Sequence, residues 1–164
     1  MAAQLERFQA DYQSILAALA DFFEKRKMTE YGFKINEFSV FASFLITSAF
    51  LRKNDVQVTS PALEEFHKSI IILIVDRIIA DSDREFPQDE IDKLTVSIQE
   101  IMMSRYGEYA GIIRAASDLS DKAASFVLLI DAFLSHGLAQ PPDGHDSIRL
   151  ELGRCLLAAM KNQT

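Results

Sequence analysis

The chain predicts an all-α fold: a single compact bundle of about six amphipathic helices spanning residues 1–164. Three observations carry this. Apolar residues recur at spacings of three and four in successive blocks, the period of one helix face. Only 6 Gly and 4 Pro occur, too few for a many-turned β protein or a disordered chain. Hydrophobic residues make up 49% of the sequence, with 12 Phe and no Trp, so phenyl rings supply the bulk of a core that one domain of this length can bury.

The elements follow in order. Leu5, Phe8, Tyr12, Ile15, Leu19 and Phe22 form the first helical stripe, widened by Leu16 and Phe23, with Lys25-Arg26-Lys27 placed where cations complement a helix C-terminus. Met28 to Lys34, containing Gly32, reads as a linker. Asn36 is the expected cap of a second helix reaching about Arg52, with Phe38, Phe41, Phe44, Leu45 and Leu51 giving it a broad apolar surface. Ser39, Ser43 and Thr47 repeat every four residues, a narrow small-residue stripe against which another helix can approach closely. Lys53 to Thr59 is a turn, and Ser60-Pro61 reads as cap plus first residue of a third helix through His67 to about Ala80. The run Ile70 to Val75 also suits a buried strand, but the strong start signal and the length of the segment favour helix. Pro87 can open a fourth helix carrying Ile91, Leu94, Ile98, Ile101 and Met102, which breaks near Gly107 or continues to Ala116. A fifth starts near Ser120, carries Phe126, Leu129, Ile130, Phe133 and Leu134, and stops at Gly137. After the loop Pro141-Pro142-Asp143-Gly144, a sixth carries Ile148, Leu152, Cys155, Leu156 and Ala159.

The formal net charge of −7 is concentrated. Residues 61–100 hold 4 basic and 10 acidic groups, net −6, whereas residues 1–60 are neutral and 101–164 carry −1. Such a region repels phosphate backbones and anionic lipid, which argues against nucleic-acid or membrane partners. The longest charge-free stretch, Phe38 to Leu51, is 14 residues, short of the ~20 that a spanning helix needs. A single cysteine, Cys155, and an N-terminus without a leader pattern suggest a reducing, cytoplasmic setting.

The acidity peaks at Asp81-Ser82-Asp83-Arg84-Glu85-Phe86-Pro87-Gln88-Asp89-Glu90-Ile91-Asp92, with six carboxylates in twelve positions. Calcium loops place oxygen ligands at positions 1, 3, 5, 9 and 12 around a Gly at 6. Counting from Asp81, those ligand positions become Asp81, Asp83, Glu85, Asp89 and Asp92, but Phe86 stands in the Gly position. Ending instead on Glu90 aligns Phe86 and the final Glu but sets Ile79 at position 1 and Arg84 at the Gly. Asp81, Asp83, Glu85, Asp89 and Glu90 are therefore the candidate metal ligands, for Ca or Mg. The competing readings are a docking surface for a basic partner and, most simply, a solvated turn whose Asp89 and Glu90 favour the positive end of the fourth helix. In the second register, Asp83, Phe86, Pro87 and Glu90 resemble the acidic hairpin of tellurite-resistance B-type helical domains, with Arg84 where that pattern has Gly. The resemblance covers about a dozen residues and implies a helical domain with a metal-binding acidic patch.

Catalytic constellations are sparse. Glu64-x-x-His67 is one half of the carboxylate–histidine unit that di-metal bundles use twice, and it occurs once. His145-Asp146 resembles the paired ligands of HD-type phosphohydrolases, but no Asp follows. His136 suits a helix C-terminus, and Cys155, on an apolar face, reads as an inert core thiol. No Gly-rich phosphate loop or Gly-x-Ser-x-Gly turn is present. Asp76 and Arg77 interrupt an apolar helix and Arg105 falls on the apolar stripe of the next. Either Asp76 and Arg105 pair across the hairpin, because a charge buried alone is costly, or both side chains reach solvent at the bundle ends.

The expected function is a non-catalytic protein-interaction module, an adaptor, inhibitor or regulatory subunit, needing no cofactor. The alternative is a divalent-cation-binding protein or metal-dependent enzyme built on the acidic turn. The expected partner is another protein, basic in character. The aromatics Phe38, Phe41, Phe44 and Phe50, spread around one helix, also raise a homodimer.

Overall fold

The computed structural model describes residues 2–26, 32–54, 60–117, 122–139 and 146–161. Among them are six helices: α1 Ala2–Lys25, α2 Ile35–Asn54, α3 Pro61–Ala80, α4 Gln88–Ser117, α5 Lys122–Gly137 and α6 Asp146–Lys161. Residues 70–75 are helical, so no strand runs through them. The fourth helix runs unbroken through Gly107 and Gly111. None of these helices is long and apolar enough to cross a membrane.

α2 is the hub. Every residue from Phe38 to Thr47 is buried, including the polar Ser39, Ser43 and Thr47, as expected for a helix surrounded by others. α1, α3, α4 and α5 all pack on it. α1 runs antiparallel to α2, with Phe8 edge-on to Phe50 and Phe23 against Phe38. α3 reverses again, setting His67 beside Thr47 and Arg77 beside Asn36. From α5, Phe133 stacks on Phe41 with ring centroids 4.1 Å apart, and from α4, Tyr109 meets Phe41 and Phe44. α6 closes the bundle between α1 and α5. Phe38, Phe41 and Phe44 are thus core residues and Phe50 is half-buried. The aromatic surface that suggested a homodimer is covered by the chain's own helices.

A staple outside the helices ties the start of α2 to the end of α5. Lys34 N–H donates to Gly137 O (2.8 Å) and Ala139 N–H to Gly32 O (2.8 Å), around an isolated Phe33–Leu138 bridge. Gly32 holds a left-handed φ of 67°, and a Cβ there would meet Ala139 Cβ at 2.9 Å, so this turn needs glycine.

Of the two expected helix caps, Asn36 is corrected and Ser60 holds its position. α2 begins at Ile35, and its first amides bond the Lys34 carbonyl, which the staple has already fixed. Asn36 lies inside the helix and gives its side-chain oxygen to Arg77 instead (2.8 Å). Ser60 does occupy the cap position, with Pro61 next, but its hydroxyl reaches Gln4 (3.4 Å) and makes no cap bond. The turn expected at 53–59 begins later, because α2 continues through Lys53 and Asn54. Its remainder, 55–59, the start at Ser120 and the loop 141–144 lie outside the described residues.

Candidate functional site

The acidic residues sit on the α3–turn–α4 hairpin. α3 ends as Asp81 N–H donates to Arg77 O (2.9 Å) and Ser82 N–H to Ile79 O (3.1 Å). Phe86 and Pro87 then lead into α4, where the Glu90 and Ile91 amides bond Pro87 O. Asp81, Asp83, Glu85 and Asp89 are exposed, and Glu90 is half-buried. Neighbouring basic side chains claim part of the cluster. Arg84 lies over the Phe86 ring (4.1 Å to its centroid) and donates to Glu90 (2.6 Å). Lys93 pairs with Asp89 (3.3 Å), and Gln88 donates to Asp92 (2.8 Å).

Geometry therefore does not gather the candidate metal ligands. Among the described residues no three His, Cys, Asp or Glu side chains form a group able to hold a metal ion. Arg84, at the Gly position of the register that ends on Glu90, brings a positive charge to Glu90 instead.

Behind the hairpin lies a polar seam that the small-residue stripe of α2 creates. Each stripe hydroxyl donates to a carbonyl of its own helix: Ser39 to Ile35 O (3.1 Å), Ser43 to Val40 O (2.8 Å), Thr47 to Ser43 O (2.8 Å). Each is then left with lone pairs for a neighbour. Arg77 donates to Ser39 (3.3 Å), Tyr106 to Ser43 (2.7 Å), and His67 Nε2 lies 2.9 Å from Thr47 Oγ1. Because Thr47's only proton goes to Ser43 O, Nε2 of His67 carries the proton in that bond. Burial pushes the His67 pKa below its ordinary value and raises that of Tyr106, which its bond to Ser43 partly offsets. The stripe thus seats donors from α3 and α4 rather than only admitting a close helix. Glu64, three residues before His67, is exposed, so the pair does not form a ligand unit.

The expected Asp76–Arg105 pair is absent. Asp76 is exposed and makes no ion pair with Arg105. Arg105 instead grips Glu37 of α2 through two bonds of 3.0 Å. Sequence reasoning missed this partner because 68 positions separate the two. His136 is in the last turn of α5, as expected, and also meets Glu108 of α4 (2.8 Å). Cys155 is half-buried with Sγ 3.8 Å from Ala18 O, and burial raises its pKa, which disfavours the thiolate. Asp146 opens α6, whereas His145 lies outside the described residues.

Comparison of the chain with protein-family models, curated proteins and solved structures returns no match. The likeness of the turn to the tellurite-resistance B-type hairpin accordingly rests on Asp83, Phe86, Pro87 and Glu90 alone.

Proposed function

We propose that this chain is a non-catalytic protein-interaction module whose α3–α4 hairpin docks a basic segment of another protein. One observation carries the reading. The basic side chains nearest the acids are engaged: Lys68 holds Glu65, Arg84 holds Glu90 and Lys93 holds Asp89, while Arg77 turns to the neutral oxygens of Asn36 and Ser39. Asp76, Asp81, Asp83, Glu85 and Glu100 are exposed and make no ion pair among the described residues. The exposed charge without an ion-pair partner is thus predominantly negative, carried by the turn at Asp81, Asp83 and Glu85 and by the flanking helices at Asp76 and Glu100, which speeds encounter with a basic partner and selects against acidic ones. It also opposes self-association through this face. A cytoplasmic setting belongs to the same reading and is supported by the single free cysteine, Cys155.

The test is the combined variant Asp76→Asn, Asp81→Asn, Asp83→Asn, Glu85→Gln, compared with the parent chain as bait in its native host. Proteins bound by the parent are expected to fall about tenfold on the variant, and binding to the parent to weaken with added salt. An unchanged set of bound proteins at every salt concentration refutes the docking role.

A further inference from the structure

We infer that the docked segment is a basic amphipathic helix that lies across an apolar stripe formed by Ile72, Val96 and Met103 on the outer face of the hairpin; this rests on the docking reading above. The three are 57%, 54% and 65% exposed, the highest values among large apolar side chains in the described residues. All three belong to the same two helices. Val96, Gln99 and Met103 follow at spacings of three and four, so they share one face of α4. The ring contact between His67 and Tyr106 (5.5 Å) and the short turn fix the antiparallel register. Counting from that contact sets Ile72 level with Ile101, and counting from the turn between Ala80 and Gln88 sets it level with Val96. On α3, Phe66, Ile70 and Ile74 turn inward and Ile72 points away from them.

Charge identifies the occupant. The stripe is bordered by Asp76 on α3 and by Asp92 and Glu100 on α4, all exposed. A second copy would bring the same acids against themselves, and an anionic lipid surface would be repelled. A helix with apolar residues at three-four spacing and Lys or Arg on both flanks satisfies the stripe and the border together.

A synthetic helical peptide of Leu and Lys, with Leu on one face, is the probe, and a peptide of identical composition scrambled to have no apolar face is the control. Titrated onto the full chain, the amphipathic peptide is expected to bind about tenfold tighter than the control. Ile72→Ser with Met103→Ser should bring the two within about twofold while leaving the salt-sensitive binding of both peptides. Val96→Lys should do the same, which keeps the test decisive should the double variant melt early. Equal binding of the two peptides to the parent chain, or a preference that survives both variants, overturns the inference and leaves the acidic docking role standing. Loss of all binding to the parent chain removes both. A dimer in light scattering that Ile72→Ser with Met103→Ser dissociates assigns the stripe to a second copy and also overturns it.

Discussion

Arg105 and Glu37 form a two-pronged ion pair, both bonds 3.0 Å, that clamps the middle of α4 to the first turn of α2. Glu37 is well placed twice over, since a carboxylate in a first turn also favours the positive helix end. The side chains are 24% and 16% exposed, so the pair keeps much of its strength against solvent without being fully dry. Arg105→Ala should destabilise the fold by about 2 kcal/mol, the scale of hydrogen bonds to charged groups. For a chain this size that lowers the melting temperature by roughly 4–8 °C. Asp76→Asn, by contrast, should leave the melt within ~0.5 kcal/mol of the parent. A loss from Asp76→Asn comparable to that from Arg105→Ala would restore the pairing across the hairpin.

Stability should fall as the solution is acidified below about pH 6.5, the ordinary histidine value. The folded pKa of His67 is depressed by burial, and its neighbours are Thr47 on α2 and the Tyr106 ring on α4. Between the depressed pKa and 6.5 the unfolded chain binds a proton that the folded chain does not. Stability therefore rises with pH across that window, is complete above it, and is lost on the way down. Comparing melts at pH 7.5 and pH 5 for the parent and His67→Gln checks this. The variant should be less stable at neutral pH but show a shallower acid loss. An identical acid loss in both would acquit His67.

Three helical glycines separate by their surroundings. At Gly107 and Gly111, in the middle of α4, an added Cβ meets nothing within 4 Å. Gly107→Ala and Gly111→Ala should each stabilise by ~0.5–1 kcal/mol, because alanine loses less freedom on entering a helix. At Gly137 a Cβ would meet Phe38 Cε1 at 2.9 Å and Phe133 Cε2 at 3.0 Å, in the centre of the aromatic core. Gly137→Ala should cost about 1–3 kcal/mol of stability through overpacking. Denaturant melts of the three variants distinguish the cases by sign.

Millimolar calcium, magnesium or manganese should leave the melting temperature unchanged, since a cation that bound the native turn would raise it by mass action. Arg84 and Lys93 already pair with Glu90 and Asp89, and among the described residues no three acids group to hold an ion. A rise that grows with the concentration of any one of these ions would return the turn to metal binding.

Much of the architecture was legible from local pattern. The stripe Leu5 to Phe22 became α1, the Ser60-Pro61 start became the start of α3, and Gly137 ended α5. Each depends on residues within a turn or two of one another, and helical periodicity reports such contacts directly. The acidic turn was also found at its true place, as a change in composition is visible without knowing any contact. Its chemistry was less legible, because whether carboxylates converge or splay depends on side-chain directions that Arg84, packed on Phe86, helps to decide.

The sequence by itself settled that this protein is a bundle of helices and that its charge lies on one hairpin. Both follow from the order of residues along a few turns. Only the tertiary structure decided the partners: Glu37 for Arg105, Asn36 for Arg77, and the Ser39–Ser43–Thr47 stripe for donors from two other helices. A long polar side chain can reach several neighbours, and periodicity does not rank them. Packing does, because the apolar core sets which helices touch and at what height, and each buried donor must then bond to whatever acceptor that register brings within reach.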